Sequence, residues 1–352
     1  MRHVRSAAPQ EPPVENWDPL HFATMVGGHP QIHFHWKEEG GKRRLIGNPN
    51  KPMRKLHEVF GQYLRKGIYA MGNDNYTLRR LPSSAAFVKG SNPLKNAQKH
   101  IEGRFFYITD VSNAYPSIDL ERLAILIVYI KKYYEYGPNF SLSAFGQNAS
   151  FRDQVRRDWL FPPVHAFLES FCSGMHGQGL AVGGPLSPFL FNLYCEVFMD
   201  AQVRKLCERY DITYTRYADD CVFSRHKPII GDIRRNVREC IARAGFEVNH
   251  RKSKVLSREM GAVFVTKIGL RNRTGKEDGS ETAKIVFSQK KRRRLHGIIG
   301  SYLTMQMDWP EKVSGLIAEF IHYYKNVDES TATDRKTFAL CKLFEAEWAK
   351  HR

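Results

Sequence analysis

With 352 residues and 40.7 kDa, the chain is long enough for one large domain or two ordinary ones around a buried core. Hydrophobic residues at 42% and charged residues at 26% exclude wholesale disorder. The 54 basic and 36 acidic residues leave a formal charge of +18, which favours a polyanionic partner, nucleic acid ahead of an anionic membrane. No run approaches about 18 apolar residues, so no membrane span is expected. The N-terminal MRHVRSAAPQEPPVENWDP lacks the apolar centre of a secretory signal. The six cysteines form no CxxC pair and read as reduced, buried thiols, so the expected location is cytoplasmic.

In chain order, residues 1–30 are Pro-rich, weakly patterned and read as an N-terminal extension. A basic stretch, 37-KEEGGKRRLIGNPNKPMRKL-56, leads into a helix through Val59, Tyr63 and Leu64. The segment 104-RFFYITD-110 reads as a strand ending in Asp110, followed by a strand-to-helix transition, VSNAYPSID. In 177-GQGLAVGGPLSPFLFNLY-194, glycines and prolines precede a long amphipathic helix with Ser187 as N-cap. Its apolar face is expected to carry Leu190, Leu193, Tyr194, Val197 and Phe198. Gly183 and Gly184 would let the backbone approach a flat partner such as a base pair or sugar; the plainer reading is an ordinary loop before a helix. Strands are expected at 212-ITYTRYADDCVFS-224 and 261-GAVFVTKIGL-270. Residues 251–300 carry 14 basic and 4 acidic side chains, or +10 of the +18. Here Lys290, Lys291, Arg292, Arg293 and Arg294 open a helix backed by Leu295, Ile298, Ile299, Tyr302 and Leu303. Strands and long helices mix without a regular βαβ alternation or internal repeat, which reads as α+β.

The sharpest local feature is Tyr217-Ala218-Asp219-Asp220 between two apolar strand-like stretches. Adjacent carboxylates in such a hairpin repel one another unless cations neutralise them; alone, the tetrapeptide reads equally as an exposed turn. Asp110 at the end of another apolar strand supplies a partner. A carboxylate from each of two neighbouring strand ends is the minimum for holding two Mg²⁺ ions, which activate an attacking 3′-hydroxyl and stabilise a departing pyrophosphate. Strand alternation would turn Asp219 and Asp220 to opposite sides, with Asp219 the direct ligand and Asp220 auxiliary.

The ordered set of Asp110 with Tyr115, the GGPLSP loop, YADD and 245-GFEVNHRKSK-254 resembles a bacterial reverse transcriptase over roughly residues 35 to 300. It is most similar to retron and related phage-defence enzymes. Asn96-Ala97-Gln98-Lys99-His100 fits the NAxxH pattern of retron enzymes, and Val265-Thr266-Lys267 approaches their VTG element with Lys in place of Gly. Arg44-Leu45-Ile46-Gly47-Asn48-Pro49 is similar to a fingers motif shared with group II intron enzymes.

The resemblance implies a right-hand polymerase: an extension over 1–30, fingers over 31–104, a palm with an inserted fingers segment over 105–270 and a helical thumb over 271–352. It implies Asp110, Asp219 and Asp220 as metal ligands and Tyr115 as the ring crowding the sugar 2′ carbon. Arg44, with Lys42 or Arg43, would contact the incoming triphosphate, and Lys252 would donate a proton to pyrophosphate. Val182 and Gly183 stand where Gln-Gly is usual, which removes an amide beside the incoming nucleotide and points to specialised synthesis; Asn113 is a milder departure. Lys291, Arg292, Arg293 and Arg294 would ride on the template–primer backbone. His100 and the other histidines read as structural or RNA-facing. The implied activity is RNA-directed DNA synthesis from dNTPs with two Mg²⁺ ions in bacterial antiviral defence. The implied partners are an RNA template or dedicated non-coding RNA, the DNA product and a separate effector protein, without a membrane. The rival readings are a diversity-generating or group II intron-like enzyme, and a catalytically quiet RNA-binding scaffold that keeps the palm.

Overall fold

The computed structural model describes residues 19–39, 41–71, 76–133, 149–272, 283–305, 312–327 and 330–350; most of the expected N-terminal extension, residues 1–18, lies outside them. In chain order the first elements are α1 (Pro19–Met25), β1 (Ile32–Glu39), β2 (Lys42–Pro49), α2 (Lys51–Ala70), α3 (Tyr76–Arg80) and α4 (Pro93–Gln98). There follow β3 (Phe105–Ser112), α5 (Leu120–Lys131), α6 (Ala149–Arg156), α7 (Phe161–Phe171), α8 (Ser187–Cys195), a π-helical turn (Glu196–Asp200) and α9 (Ala201–Arg209). The rest comprises β4 (Thr213–Tyr217), β5 (Asp220–Arg225), α10 (Gly231–Arg243), β6 (Glu247–Val248), β7 (Lys254–Ser257), a 3-10 turn (Arg258–Met260), β8 (Val263–Val265), β9 (Ile268–Asn272), β10 (Ala283–Val286), α11 (Gln289–Met305), α12 (Lys312–Asn326) and α13 (Ala332–Lys350). The α+β expectation holds, with every strand pair among the described residues antiparallel.

The chain divides into two compact units. The first comprises residues up to Phe87, Val111–Leu206 and Arg235–Asn249; the second comprises Val88–Asp110, Cys207–Arg234 and residues from His250 onward. In the first, β1 and β2 form a long hairpin and Asn50 caps α2, its side chain accepting from Met53 N at 3.0 Å. Phe60 of α2 stacks on Phe167 of α7 at 4.3 Å, and α5 is buried on every face from Leu123 to Ile130. Val111 and Ser112, the end of β3, pair with β6.

Two expectations for the segment after Gly184 change. Ser187 is the first residue of α8, not its cap; Leu186 stands at the cap without a side-chain hydrogen bond, and Ser187 N closes the start by donating to Gly184 O at 3.1 Å. Nor is the helix amphipathic: residues 190 to 200 are all buried. Asn192, Glu196 and Asp200 recur every four residues and mimic a solvent face, but they are satisfied internally. Asn192 Nδ2 donates to Ala86 O at 2.9 Å and its Oδ1 accepts from Ser84 Oγ at 3.0 Å. Glu196 forms a two-pronged pair with Arg204 at 2.5 and 2.9 Å.

In the second unit, Phe105–Asp110 of β3 pairs with β5 on one side, Phe105–Ile108 pairs with β7 on the other, and β4 completes the hairpin with β5. The stretch 261–270, expected as a strand, is two: β8 and β9 reverse through Thr266 (φ +46°) and Lys267 (φ +70°), the paired positive φ of a tight hairpin turn. Helices α11, α12 and α13 pack together, and one apolar core joins Phe106, Val222, Val265 and Leu270 to Leu295, Ile299, Phe320 and Phe344. All six cysteines are buried and free, and no described helix is long and apolar enough to cross a membrane.

Candidate active site

Buried residues on both faces, the apolar Tyr214, Val222 and Phe223 and the polar Thr215, take β4 and β5 into the core and leave their connection at the end of the strands. Tyr217 pairs with Asp220, so the turn is Ala218 and Asp219 alone. Ala218 has φ +55°, a left-handed conformation that costs about 1–2 kcal/mol in a non-glycine residue. Arg216, wholly buried, donates Nη1 to Ala218 O at 3.0 Å and holds that carbonyl in place. Arg216 escaped the sequence reading because nothing distinguishes it there from a surface arginine.

Asp110 lies directly across from Asp220 in the β3–β5 register, a placement that brings side chains on one face within about 5 Å. The alternation expected to part Asp219 from Asp220 does not reach Asp219, which is a turn residue. Asp110 is buried; its Oδ2 accepts a hydrogen bond from the Lys252 ammonium, and its Oδ1 is buried without a hydrogen-bond partner. Asp220 is exposed to solvent on one side; partial desolvation first, then the charges of Asp219 and Asp110, push its carboxyl up to about 6, opposed by Lys252 and Lys267. The hydrogen bond to Asp110 is the main cause raising Lys252 above its ordinary value.

Among the described residues no three His, Cys, Asp or Glu side chains are gathered closely enough to hold a metal ion as they stand. The chemistry of the donors nonetheless fits one. Asp110, Asp219 and Asp220 offer only oxygen donors, with one oxygen of Asp110 unpartnered and the other taken by an ammonium, a donor chemistry suited to a hard divalent cation.

Four other expected site residues fall in the first unit. Tyr115 is half-buried, its ring stacked on Phe191 at 4.9 Å, and its carbonyl accepts from Leu180 N at 2.8 Å. Gly179 (φ +53°) passes so close to this bend that an added Cβ would lie 2.3 Å from Pro116 O. Val182 O accepts from Gly47 N at 2.7 Å, which ties the glycine loop to β2. The bare α-carbon of Gly183 faces Gly47 O, 2.4 Å from where a Cβ would stand, so the close approach expected there is made by the protein's own backbone. Arg44 is exposed on β2 opposite Lys37, and the neighbouring Arg43 stacks over Trp36 at 4.6 Å.

The cations of α11 divide. Lys291 pairs with Glu319 of α12, and Arg292 with the fully buried Asp334 of α13, whereas Arg293 and Arg294 are exposed. A cavity of about 1090 Å³ in the second unit is lined by Lys267, Arg271, Lys284 and Lys290 along with the paired Lys291 and Arg292. Such a concentration of cations suits a polyphosphate backbone.

Residues 142–295 match the model of the family described as reverse transcriptase (RNA-dependent DNA polymerase). The chain is similar to the retron Ec73 reverse transcriptase of Escherichia coli, 24% identical over 92% of this chain and 93% of that one. It is also similar to the retron Mx65 reverse transcriptase of Myxococcus xanthus, 29% identical over 55% of this chain but 42% of that one. Among solved structures, apo telomerase from Candida tropicalis matches 91% of this chain and 59% of its own at 16% identity, with a TM-score of 0.47. The family match begins after Asp110, so that carboxylate rests on the strand register and not on the matched span.

Proposed function

We propose that this chain, a reverse transcriptase of the retron-like kind and so an RNA-directed DNA polymerase, extends a primer along a dedicated non-coding RNA as part of bacterial antiviral defence. One observation carries the catalytic part: the register that sets Asp110 against Asp220, with Asp219 in the turn between β4 and β5 and Lys252 on Asp110. Asp110, Asp219 and Asp220 would hold two Mg²⁺ ions, which supply a lowered pKa for the attacking 3′-hydroxyl and neutralise charge on the departing pyrophosphate. With cations held there, Lys252, whose ammonium donates to Asp110 at the edge of the carboxylate set, would be placed to protonate the departing pyrophosphate. Arg44 binds the triphosphate, Tyr115 excludes a 2′-hydroxyl, and the Val182–Gly183 backbone lines the nucleotide's approach. Arg293 and Arg294, with the lysine-rich cavity wall, grip the duplex backbone.

The same reading divides the chain into an extension over 1–30, fingers over 31–104, palm over 105–270 and thumb over 271–352. It places the protein in the cytoplasm with a separate effector polypeptide as a partner. Support comes from the similarity to retron enzymes and from the charge of +18. Sequencing the nucleic acid that copurifies with the full chain tests it. A single structured RNA joined to short DNA is expected, and a repetitive DNA product without such a joint would replace the retron-like reading with another template mode.

A further inference from the structure

The stretch from α4 to His100 has no part in the chemistry above, yet it is bound to the catalytic hairpin by side chains. His100 is fully buried. Its Nδ1 lies 2.7 Å from Ser224 Oγ on β5, and its Nε2 lies 2.7 Å from Thr215 Oγ1 on β4. Both hydroxyls are themselves buried. The register pairs Thr215 with Val222 and Thr213 with Ser224, so the imidazole crosses the hairpin diagonally and joins both strands. Gly103 seals the contact, since a Cβ there would lie 2.5 Å from Ser224 Cβ. From the same helix, Pro93 O accepts from Thr266 Oγ1 at 3.1 Å, in the turn of the β8–β9 hairpin.

We infer that His100 is a positioning residue, whose two hydrogen bonds set the twist of the β4–β5 hairpin and so the placement of Asp219 and Asp220. The inference rests on the reading of these aspartates as the catalytic carboxylates. Burial holds the ring neutral, with its pKa down at about 3, so one ring nitrogen donates and the other accepts, and each hydroxyl is held in one sense. Thr215 stands two residues before the end of β4, where the turn to Asp219 begins, and Ser224 stands four residues from Asp220, about 13 Å along β5. Over that length a change in twist of about 5° carries the turn about 1 Å, a displacement that can lower a rate about 100-fold. A histidine that only filled space would be replaceable by an apolar ring; one that sets an angle is not.

The test uses the full chain with a primed RNA template. His100→Phe keeps an aromatic ring and removes both hydrogen bonds, and Thr215→Val with Ser224→Ala removes them from the other side. The measurements are kcat, KM for dNTP, thermal unfolding, and Mn²⁺ binding followed by electron paramagnetic resonance without nucleic acid. Each variant is expected to lose at least tenfold in kcat with KM for dNTP within twofold, to bind Mn²⁺ more weakly, and to add nothing to the other when combined. An unchanged kcat per folded molecule, or losses confined to thermal stability, would overturn the inference. Should His100→Phe fail to fold, the hydroxyl variant alone decides on the same criteria. Asp219→Asn run alongside separates the two readings: full activity there removes the catalytic assignment, whereas its inactivity beside fully active His100 variants removes only the positioning role.

Discussion

At the scale of single residues, Asp220 carries a charge that its surroundings resist. Its carboxyl stands at about 6 in the folded chain against an ordinary 3.8, so between these values the folded state binds more protons than the unfolded one. The sign follows: stability from this group is fully present below pH 4 and is lost as pH rises through 6. Relative to Asp220→Asn, the metal-free wild type should lose thermal stability across that window. Mg²⁺ should also stabilise the wild type more at pH 7.5 than at pH 5, because protons and cations compete for the same oxygens. Unfolding curves at stepped pH, with and without Mg²⁺, check both, and a difference between the two proteins that stays flat from pH 4 to 7 would contradict the first. Tyr115 is the second test at this scale. Its ring is held against Phe191, so Tyr115→Phe should keep sugar selection and Tyr115→Val should raise the ratio of ribonucleotide to deoxyribonucleotide incorporation. Each tenfold change in that ratio corresponds to about 1.4 kcal/mol of differential transition-state stabilisation. A folded Tyr115→Val with an unmoved ratio would remove the residue from that role.

At the scale of elements, the run that opens α11 has two functions that the sequence blends into one. Arg292 reaches the buried Asp334, which also accepts from Thr331 N at 2.9 Å and Oγ1 at 2.6 Å, so Arg292 ties α11 to α13. Arg292→Gln should destabilise the chain by about 3 kcal/mol, the order for a buried pair broken on one side. Arg293→Gln and Arg294→Gln should leave stability intact and each flatten the log–log salt dependence of nucleic-acid binding by about 0.7 to 0.9. Calorimetry and salt-titrated binding distinguish them, and equal effects of all three on stability would refute the division. The same blending marks the limit of reading elements from letters. The strands around YADD were legible because apolar and β-branched residues bound them on both sides. The turn at Thr266 and Lys267 was not, since neither residue announces a positive φ. That the amphipathic helix expected after Gly184 is buried all round was not legible either, because spacing does not reveal that Ser84 and Ala86, from a distant segment, satisfy Asn192 and that Arg204 satisfies Glu196. Lys252 on Asp110 and His100 across the hairpin depend on contacts between residues more than 100 positions apart, which no local pattern carries.

At the scale of the whole molecule, the carboxylates, Lys252 and the cation-lined cavity belong to one compact unit, and Arg44, Tyr115, Val182 and Gly183 to the other. One of the places where the chain passes from one unit to the other is between Asp110 and Val111, and four residues lie between the buried carboxylate and the expected sugar-sensing ring. Every role proposed for these residues depends on Asp110 and Asp219 acting on a growing DNA strand. The direct test is extension of a DNA primer on an RNA template by wild type, Asp110→Asn and Asp219→Asn, with circular dichroism on each. The wild type should extend, and both variants should keep the fold and RNA binding while incorporation falls to background. A folded Asp110→Asn or Asp219→Asn that extends the primer as the wild type does would contradict the account.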